Sequence, residues 1–299
     1  MITGSSGIEF YWWLPVLVAS IISSFTSIGG LSGAFILLPF QISVLGFTGP
    51  AVSPTNLLFN VVAIPSGVYR YVREKRMVWH ITWAVIIGTV PGVFIGAFIR
   101  IRFLPDPRTF KLFVACVLGY IGYRLIRDIL RKNPNKFGKF NGEFVVKNSS
   151  LTLKHVSFDF LGKKYHASTM VLFLVSFVVG IIGGTYGIGG GAIIAPFLVT
   201  VLKLPVHTIA GASLMGTLVT SIVGVIFYTW LGMSGASAGM NVQPDWILGL
   251  LFGIGGSIGM YLGARTQKFL PEKFIKAVIA MAILIVVVKY VVEFFSRVP

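Results

Sequence analysis

Two glycine-rich clusters inside long apolar runs are the residues whose types and spacing first suggest ligand chemistry. One is Ser27-Ile28-Gly29-Gly30-Leu31-Ser32-Gly33 and the other is Gly187-Ile188-Gly189-Gly190-Gly191. Glycine interrupts a helix and frees backbone polar groups, which at membrane depth is tolerated only against protein or a water-filled cavity. We expect a new helix to begin near Leu31 and another near Gly190. The candidate binding residues here are Gly29, Gly30, Leu31, Ser32, Gly33, Gly189, Gly190 and Gly191.

The chemistry expected of these clusters is anion binding without a formal charge. A helix N-terminus offers free N–H groups and the positive end of the helix dipole, and both favour an anion. Interruptions in corresponding places of two halves are typical of transporter binding sites. The alternative is that the glycines only allow a tight turn within a helical hairpin.

Polar side chains in nearby apolar segments are the natural partners of the two clusters. Asn56/Asn60 and Ser213/Thr217 are i,i+4 pairs, so each pair shares one helix face. Asparagine is costly inside a bilayer and therefore indicates a cavity, although hydrogen bonds between helices are the alternative. The candidate substrate-binding side chains are Ser53, Thr55, Asn56, Asn60, Ser213 and Thr217, with Gln41 and Tyr186 as weaker candidates.

Two cations are weaker candidates for attracting an anion. Arg70 follows Tyr69 at a segment end, where an arginine ordinarily extends its head group to the membrane interface, and Lys203 lies near His207 in a similar setting.

Acidic residues are missing from the middle of every apolar segment. All nine lie at segment ends or in loops, so a carboxylate proton relay or an intramembrane sodium site is hard to build. The single cysteine, Cys116, excludes an internal disulfide or a cysteine metal cluster. We predict no metal, no cofactor and no strong proton coupling. An inside-negative potential would itself drive a monoanion outward.

One enzymatic interpretation arises from Gly30-Leu31-Ser32-Gly33, which resembles the nucleophile motif of rhomboid intramembrane proteases. A serine nucleophile needs a base within hydrogen-bond reach. No histidine lies in the middle of an apolar segment, and the second cluster has no serine. The sequence therefore predicts that the protein is not an enzyme.

The elements that position these residues are membrane helices. The chain is 55% hydrophobic, with 25 basic and 9 acidic residues among 299, which excludes an ordinary soluble domain. The basic residues gather in a few loops, which favours cytoplasmic loops over nucleic-acid binding. Apolar segments are expected at 11–28, 31–46, 50–72, 78–101, 110–130, 167–187, 190–203, 206–231, 246–265 and 274–296. The second segment of each set is short, so it is expected to be a half-helix or the return arm of a hairpin.

The two sets of segments are internal repeats. At an offset of 157 positions Asn60 falls on Thr217, Gly67 on Gly224 and Tyr71 on Tyr228. At an offset of 167, glycines spaced by four correspond, namely Gly88, Gly92 and Gly96 with Gly255, Gly259 and Gly263. We interpret these glycines as faces on which helices pack closely rather than as substrate contacts.

The expected fold is an all-α polytopic membrane protein of two inverted repeats, 1–130 and 167–299, with short helices at the glycine clusters. Each repeat makes an odd number of crossings, so the second is inverted relative to the first. If the linker 131–166 is cytoplasmic, the basic loops at 70–76 and 265–276 also lie inside. Arg100, Arg102, Arg108 and Lys111 would then lie outside, but the balance of basic residues favours this orientation. That linker contains strand-like runs and is predicted to form a small β-hairpin or three-stranded meander.

The second cluster and its continuation, Gly187 to Pro196, resemble the G-x-G-G-G-x-hydrophobic-P signature of the TauE/SafE sulfite exporter family, also called toluene sulfonate uptake permeases. Ala212-Ser213-Leu214 and Gly263-Ala264…Leu270-Pro271 resemble it too, so the similarity covers roughly 11–130 and 167–296. The first cluster departs from the pattern, since Gly29-Gly30 is followed by Leu31-Ser32-Gly33 and the distance to the proline is about three residues longer. Asn56 stands where the family often has serine.

The resemblance implies a permease of the bacterial inner membrane that exports sulfite or an organosulfonate. The expected function is therefore a secondary transporter with a small anionic substrate, bound near the midplane and moved by alternating access. An anion channel is the nearest alternative. The bilayer is the expected partner, and a homodimer is compatible with the sequence.

Overall fold

The computed structural model describes residues 2–3, 7–28, 31–73, 75, 77–130, 146–152, 155–160, 162–200, 204, 206–235, 237, 239–266 and 272–296. A two-stranded antiparallel ribbon, β1 (Ile2–Thr3) and β2 (Glu9–Phe10), precedes the first helix. The first half then forms α1 (Trp13–Ile28), α2 (Ala34–Ser43), α3 (Val52–Arg73), α4 (Trp79–Arg102) and α5 (Pro107–Leu130).

The second half repeats this order after a small sheet. The sheet consists of β3 (Lys147–Leu151), β4 (His155–Phe160) and β5 (Lys163–Ser168), paired antiparallel in sequence order. It is the predicted three-stranded meander. The helices that follow are α6 (Thr169–Tyr186), α7 (Gly191–Thr200), α8 (Val206–Met233), α9 (Trp246–Thr266) and α10 (Glu272–Phe295).

The helical membrane fold predicted from composition is confirmed. Among the described residues, five helices are long and apolar enough to cross a bilayer, namely Trp79–Arg102, Pro107–Arg127, Thr169–Tyr186, Ile209–Met233 and Trp246–Gly263. Large apolar side chains such as Trp83, Ile87 and Phe98 are exposed on the outside of α4, where they suit lipid. The short helices are also confirmed, because α2 and α7 have ten residues each and span about 15 Å, half of a bilayer core.

The first break, residues 29–33, lies between α1 and α2, and the second break, residues 187–190, lies between α6 and α7. Gly29 and Gly30 lie outside the described residues. The helices after the breaks begin at Ala34 and Gly191, so the expected start near Leu31 is wrong by three residues. Gly33 keeps a right-handed conformation with φ −68°, and its carbonyl accepts from the N–H groups of Ile36 and Leu37.

The glycines spaced by four form close packing faces, as predicted. A Cβ atom at Gly92 would clash with the carbonyl oxygen of Phe177, so α4 and α6 pack backbone to backbone. The same holds for α9 and α1, because a Cβ atom at Gly259 would clash with the carbonyl oxygen of Ser20. Replacing either hydrogen with a side chain would force these helix pairs apart.

These packing faces interlock the two halves. Helix α1 of the first half lies on α9 of the second, and α6 of the second half lies on α4 of the first. Likewise α3 packs on α9 and α8 packs on α4, while α3 meets α8 and α5 meets α10. Such an exchange of partners is expected of two repeats related by a two-fold axis. The inverted orientation of the repeats and the domain boundaries at 130 and 167 stay predictions.

The sheet lies at one end of the helical bundle. Val146, just before β3, donates its N–H to the carbonyl of Lys75 in the α3–α4 loop. Ser149 Oγ of β3 lies 3.0 Å from Nδ1 of His80 in the first turn of α4. The sheet and the basic residues of that loop therefore share one face of the molecule, as expected if both are cytoplasmic. Arg100 lies 20 residues further along α4 and so about 30 Å away, at the opposite end.

Candidate functional site

Asn56 on α3 joins the two breaks. Its Nδ2 donates to the carbonyl oxygens of Ala34 and Gly187, each at 2.9 Å, and its Oδ1 accepts from Gln41 Nε2 at 3.2 Å. Ala34 is the first residue of α2 and Gly187 belongs to the second break. One side-chain nitrogen therefore reaches both breaks, which brings them together in the protein interior as expected. Both of its donor hydrogens are used by the protein.

Three polar side chains on one face of α3 contact the end of α6 and the second break in order. Ser53 Oγ donates to the Thr185 carbonyl at 3.1 Å, Asn56 to Gly187, and Asn60 Nδ2 to the Ile188 carbonyl at 3.2 Å. We call these three residues the α3 ladder. Because each rung satisfies a carbonyl freed by the break, the ladder stabilises an interruption that hydrocarbon could not.

The remaining polar candidates divide between the breaks and other places. The Tyr186 hydroxyl donates to the Phe35 carbonyl at 2.9 Å, so it links the end of α6 to the start of α2. Thr217 and Ser221 of α8 flank Gly189, where a Cβ atom would lie 2.7 Å from Thr217 Cγ2 and 2.6 Å from Ser221 Oγ. Both are buried, as is Ser213 one turn before Thr217.

Two candidates are not brought to the breaks. Thr55 Oγ1 bonds to the Ala51 carbonyl and accepts from the Asp245 N–H at 2.8 Å, so it joins α3 to the start of α9. Arg70 lies in the last turn of α3, is partly exposed and is at the end that carries the sheet. Lys203 lies outside the described residues.

The two breaks have five and four residues by their helix bounds, but the hydrogen bonds that flank them are in the same register. Leu31 N–H donates to the Thr26 carbonyl at 3.2 Å, and Ile188 N–H donates to the Gly183 carbonyl at 3.1 Å. Likewise Leu37 donates to Gly33 as Ile194 donates to Gly190. Each pair is 157 positions apart, so the offset found between α3 and α8 also holds through the breaks. The longer distance from Gly29-Gly30 to the proline reflects where the glycines stand, since the hydrogen bonds match Gly33 to Gly190.

A cluster of three unpaired hydroxyls lies beside the first break. Ser23, Thr26 and Ser32 are almost fully buried, and none of their hydroxyl oxygens has a hydrogen-bond partner within the described part of the chain. Ser23 Oγ lies 3.0 Å from the position that a Cβ atom of Gly33 would take, Thr26 is on the same face of α1, and Ser32 precedes Gly33. We call these three side chains the hydroxyl cluster.

The start of α2 adds backbone donors to this cluster. The N–H groups of Ser32, Gly33, Ala34 and Phe35 make no hydrogen bond to another described residue. Together with the hydroxyl cluster they form a set of donors around a helix N-terminus, which matches an oxyanion in chemistry. Three further buried polar atoms without partners lie on the surrounding helices, namely Gln41 Oε1, Asn60 Oδ1 and Ser221 Oγ.

Sequence reasoning identified Ser32 but missed Ser23 and Thr26. The available signal was a run of hydroxyls at the end of an otherwise apolar helix, Ser20, Ser23, Ser24, Thr26 and Ser27. Ser20, Ser24 and Ser27 bond to carbonyls of α9 or of α1 itself. Only the structure separates these from Ser23 and Thr26, which face the break.

Arg100 is a second residue that the sequence did not single out. Its side chain is fully buried, and its Nε donates to Ser53 Oγ at 3.2 Å. The guanidinium also donates to the carbonyls of Leu104 and Gly49, and its carbon lies 3.7 Å from the centre of the Phe110 ring. A buried cation thus adjoins the Ser53 rung of the α3 ladder.

The geometry does not favour catalysis at Ser32. Its hydroxyl has no partner among the described residues, so no base activates it there. No group of three or more metal-binding side chains forms within the described residues.

Comparisons with known proteins agree with a transport role. The model of the family described as "Sulfite exporter TauE/SafE" matches residues 15–290. "Probable membrane transporter protein YunE" of Bacillus subtilis strain 168 is 22% identical over 278 residues, which cover 91% of this chain and 94% of that protein. "Probable membrane transporter protein YdhB" of the same organism is 32% identical over 102 residues, or 34% of this chain and 38% of that protein. A "Probable membrane transporter protein" of Xylella fastidiosa strain 9a5c is 22% identical over 269 residues, covering 86% and 88%. No solved structure gives a significant match.

Proposed function

This chain belongs to the TauE/SafE sulfite exporter family of membrane transporters, and on that premise we propose that it exports a small sulfur-containing anion such as sulfite or an organosulfonate. The proposed substrate site is the hydroxyl cluster with the free N–H groups at the start of α2. The proposed location is the inner membrane of a bacterium. There an inside-negative potential favours the exit of a monoanion by about 2.3 kcal/mol per 100 mV.

The observation that carries this proposal is the set of donors left without acceptors at the first break. A buried polar group without a hydrogen bond costs about 1–3 kcal/mol, and the hydroxyls of Ser23, Thr26 and Ser32 are three such groups within the described part of the chain. A bound oxyanion would accept from each of them. Hydrogen bonds to a charged group contribute about 1.5–3 kcal/mol, so a bound anion would offset the cost of burying these hydroxyls.

The absence of a fixed positive charge at this site suits a transporter. A substrate held only by hydroxyl and backbone donors can leave again, whereas a lysine or arginine in direct contact would hold an anion more tightly. Hydroxyls also adapt to three oxygens of a sulfite or a sulfonate, because each O–H rotates toward its acceptor.

The interlocked packing constrains how access alternates. Rocking residues 1–130 against 167–299 would separate α1 from α9 and α4 from α6, and both pairs are in backbone contact through glycines. We therefore propose that each glycine-packed pair moves as one body. The bundle of α1, α9 and α3 then rocks against the bundle of α4, α6 and α8, and the hinge lies where α3 meets α8 and where Asn56 joins the breaks.

Counterflow tests this function. The purified protein is reconstituted in proteoliposomes loaded with unlabelled sulfite, and uptake of radiolabelled sulfite is measured. A carrier accelerates labelled uptake when unlabelled sulfite is present on the other side, whereas a channel does not. Substitution of Ser23 and Ser32 together by alanine is expected to raise KM for sulfite at least about tenfold, because charged hydrogen bonds are lost.

Ser24→Ala is the matched control, since Ser24 Oγ donates to the Ser20 carbonyl and not toward the break. Its KM is expected to stay within about twofold of the wild type, as for a substitution away from the site. If sulfite enters through the wild type but unlabelled sulfite does not accelerate its uptake, the protein is a channel and not a carrier. An unchanged KM in the double variant would remove the hydroxyl cluster from the site.

A further inference from the structure

Arg100 carries a buried positive charge, although a neutral side chain could make the same hydrogen bonds within the protein. Its guanidinium donates to three neutral acceptors, Ser53 Oγ and the carbonyls of Gly49 and Leu104. One face of the group lies on the Phe110 ring. Neutral acceptors are satisfied by neutral donors, so this arrangement gives no reason for a charge, and burying one is costly.

No described carboxylate compensates this charge. Arg100 makes no ion pair within the part of the chain that the structure describes, whereas Lys111 at the same end pairs with Glu293 at 2.8 Å. A guanidinium has five N–H donors, and the three hydrogen bonds leave two of them without an acceptor among the described residues. A buried arginine with free donors and no counter-ion matches the binding chemistry of a small oxyanion.

Its position connects it to the proposed transport path. Ser53 accepts from Arg100 and itself donates to Thr185, so Arg100 continues the α3 ladder beyond Asn60 and Asn56. The ladder runs along the second break toward the end of the molecule opposite the sheet. Arg100 therefore lies between the two breaks and the face that we assign to the outside.

We propose that Arg100 forms a second anion station on the outer side, where its guanidinium pairs with the departing oxyanion before release. This rests on the proposed transport function and deepens it. In the conformation described, the carbonyls of Gly49 and Leu104 occupy part of the fork. Outward opening moves the α2–α3 and α4–α5 loops that carry those carbonyls, and the oxyanion takes their place as the bidentate partner.

Three variants of the full-length protein test the station. Arg100→Gln removes the charge and keeps two amide donors, Arg100→Lys keeps the charge but lacks the fork, and Arg102→Gln removes a charge from an exposed residue two positions away. Each is reconstituted in proteoliposomes, and KM and kcat are measured over a series of sulfite concentrations. The thermal shift that sulfite induces in detergent is measured in parallel.

Arg100→Gln is expected to raise KM at least about tenfold, the effect of one lost charge-assisted hydrogen bond. Arg100→Lys is expected to raise KM roughly threefold, because an ammonium cannot bind two oxygens in parallel. Arg102→Gln is expected to remain within about twofold of the wild type.

An unchanged KM in Arg100→Gln, with only a lower melting temperature or a lower kcat, would overturn the station and leave Arg100 as a clamp between loops. If Arg100→Gln does not fold, an unchanged KM in Arg100→Lys overturns it as well, since the fork is then not used. If the wild type transports no sulfite, the proposed transport function is wrong, which is a different result from the loss of the Arg100 station. In that case a sulfite-induced thermal shift that Arg100→Gln lacks would still support the anion site.

Discussion

The two breaks share their flanking hydrogen bonds but differ in backbone conformation and in chemistry. Both use the same hydrogen bonds at positions 157 apart, and both end in a ten-residue helix. At three equivalent positions the first half carries hydroxyls and the second half carries glycines, namely Ser23 and Gly180, Thr26 and Gly183, and Ser32 and Gly189. The first half thus offers three hydroxyl donors at its break, whereas the second half offers close approach and, from α8, the hydroxyl of Ser221 beside Gly189.

The glycines of the second half are required by packing. A Cβ atom at Gly183 would lie 2.5 Å from the Gly190 nitrogen, and one at Gly180 would clash with the Thr89 carbonyl. Gly187, Gly189 and Gly190 all have positive φ, which side chains other than glycine rarely adopt, whereas Gly33 does not. Duplication therefore supplied two copies of one scaffold, and we infer that only one copy was free to acquire binding groups.

The largest expected effect tests what the halves share. Gly92→Val and Gly259→Val each place a side chain against the backbone of a partner helix, so each is expected to cost about 3 kcal/mol or more. Gly119→Val is the control, because nothing lies within 4 Å of a Cβ atom there. The measurements are the yield of monodisperse protein and its melting temperature in detergent. A mild effect at one face and a severe effect at the other would show that the faces are not equivalent.

Asn56 tests a difference between the halves. Asn56→Leu leaves the carbonyls of Ala34 and Gly187 without their donor, and is expected to lower the free energy of unfolding by about 2–4 kcal/mol. Thr217→Val, at the position equivalent to Asn60, removes a hydroxyl bonded only to the Ser213 carbonyl of its own helix, and should cost under about 1 kcal/mol. Thermal unfolding in detergent compares the two. Equal losses would mean that α8 contributes to joining the breaks as α3 does.

A reciprocal exchange tests whether binding resides in the first half alone. Ser32→Gly gives the first break the residue of the second, and is expected to preserve folding and raise KM for sulfite about tenfold, as for one charged hydrogen bond. Gly189→Ser makes the opposite change, and is expected to destabilise the protein because φ is +66° and Ser221 Oγ would lie 2.6 Å from the new Cβ. A folded Gly189→Ser protein with a lower KM would show that the second break is also able to bind.

The smallest expected effect concerns the side chains that cap the first turn of α5 and of α6. The backbone N–H of Thr109 donates to Asp106 at 2.9 Å and lowers the pKa of that carboxyl. A lowered pKa in the folded state stabilises the protein above the ordinary pKa of about 4, and this contribution is lost as the pH falls through the folded value. Asp106→Ala is therefore expected to cost about 1 kcal/mol at pH 7, as for a lost N-cap, and less below pH 4.

Ser168 caps α6 in the second half with a hydroxyl that accepts from the Val171 N–H. Ser168→Ala is the control, since a serine does not titrate and the loss should not change between pH 3 and pH 7. Melting curves of both variants across pH make the comparison. A pH-independent loss in Asp106→Ala would assign its effect to helix geometry rather than to the carboxylate.

Much of the fold follows from the sequence because membrane helices depend on local composition. The ten apolar segments correspond to the ten helices, and the glycines spaced by four correspond to the contacts of α4 and α9. The start of α2 was misplaced because Leu31 and Ser32 have no feature that excludes them from a helix. Their extended connection depends on how α1 ends and on Asn56, which binds the Ala34 carbonyl from another helix.

The binding groups were harder to predict because a hydroxyl in a helix either bonds to a carbonyl of its own helix or stays available to another group. Ser24 and Thr89 bond to carbonyls of their own helices, while Ser23 does not. Which choice applies depends on the neighbouring helix, which composition does not specify. Arg100 was missed for a similar reason: an arginine at a helix end ordinarily reaches the interface, and only the α2–α3 loop and Phe110 make this one buried.

The pairing of α1 with α9 also orders the events of biosynthesis. Ser20 Oγ of α1 donates to the Gly255 carbonyl, a contact between residues 235 positions apart, whereas Thr185 of α6 reaches Gly96 over only 89 positions. At about 5–20 residues per second, roughly 10 to 50 seconds pass between the synthesis of Ser20 and the synthesis of its partner Gly255. Helix α1 is thus made well before the helix on which it docks. It carries Ser23 and Thr26, so the proposed substrate site is completed only after α9 has been made.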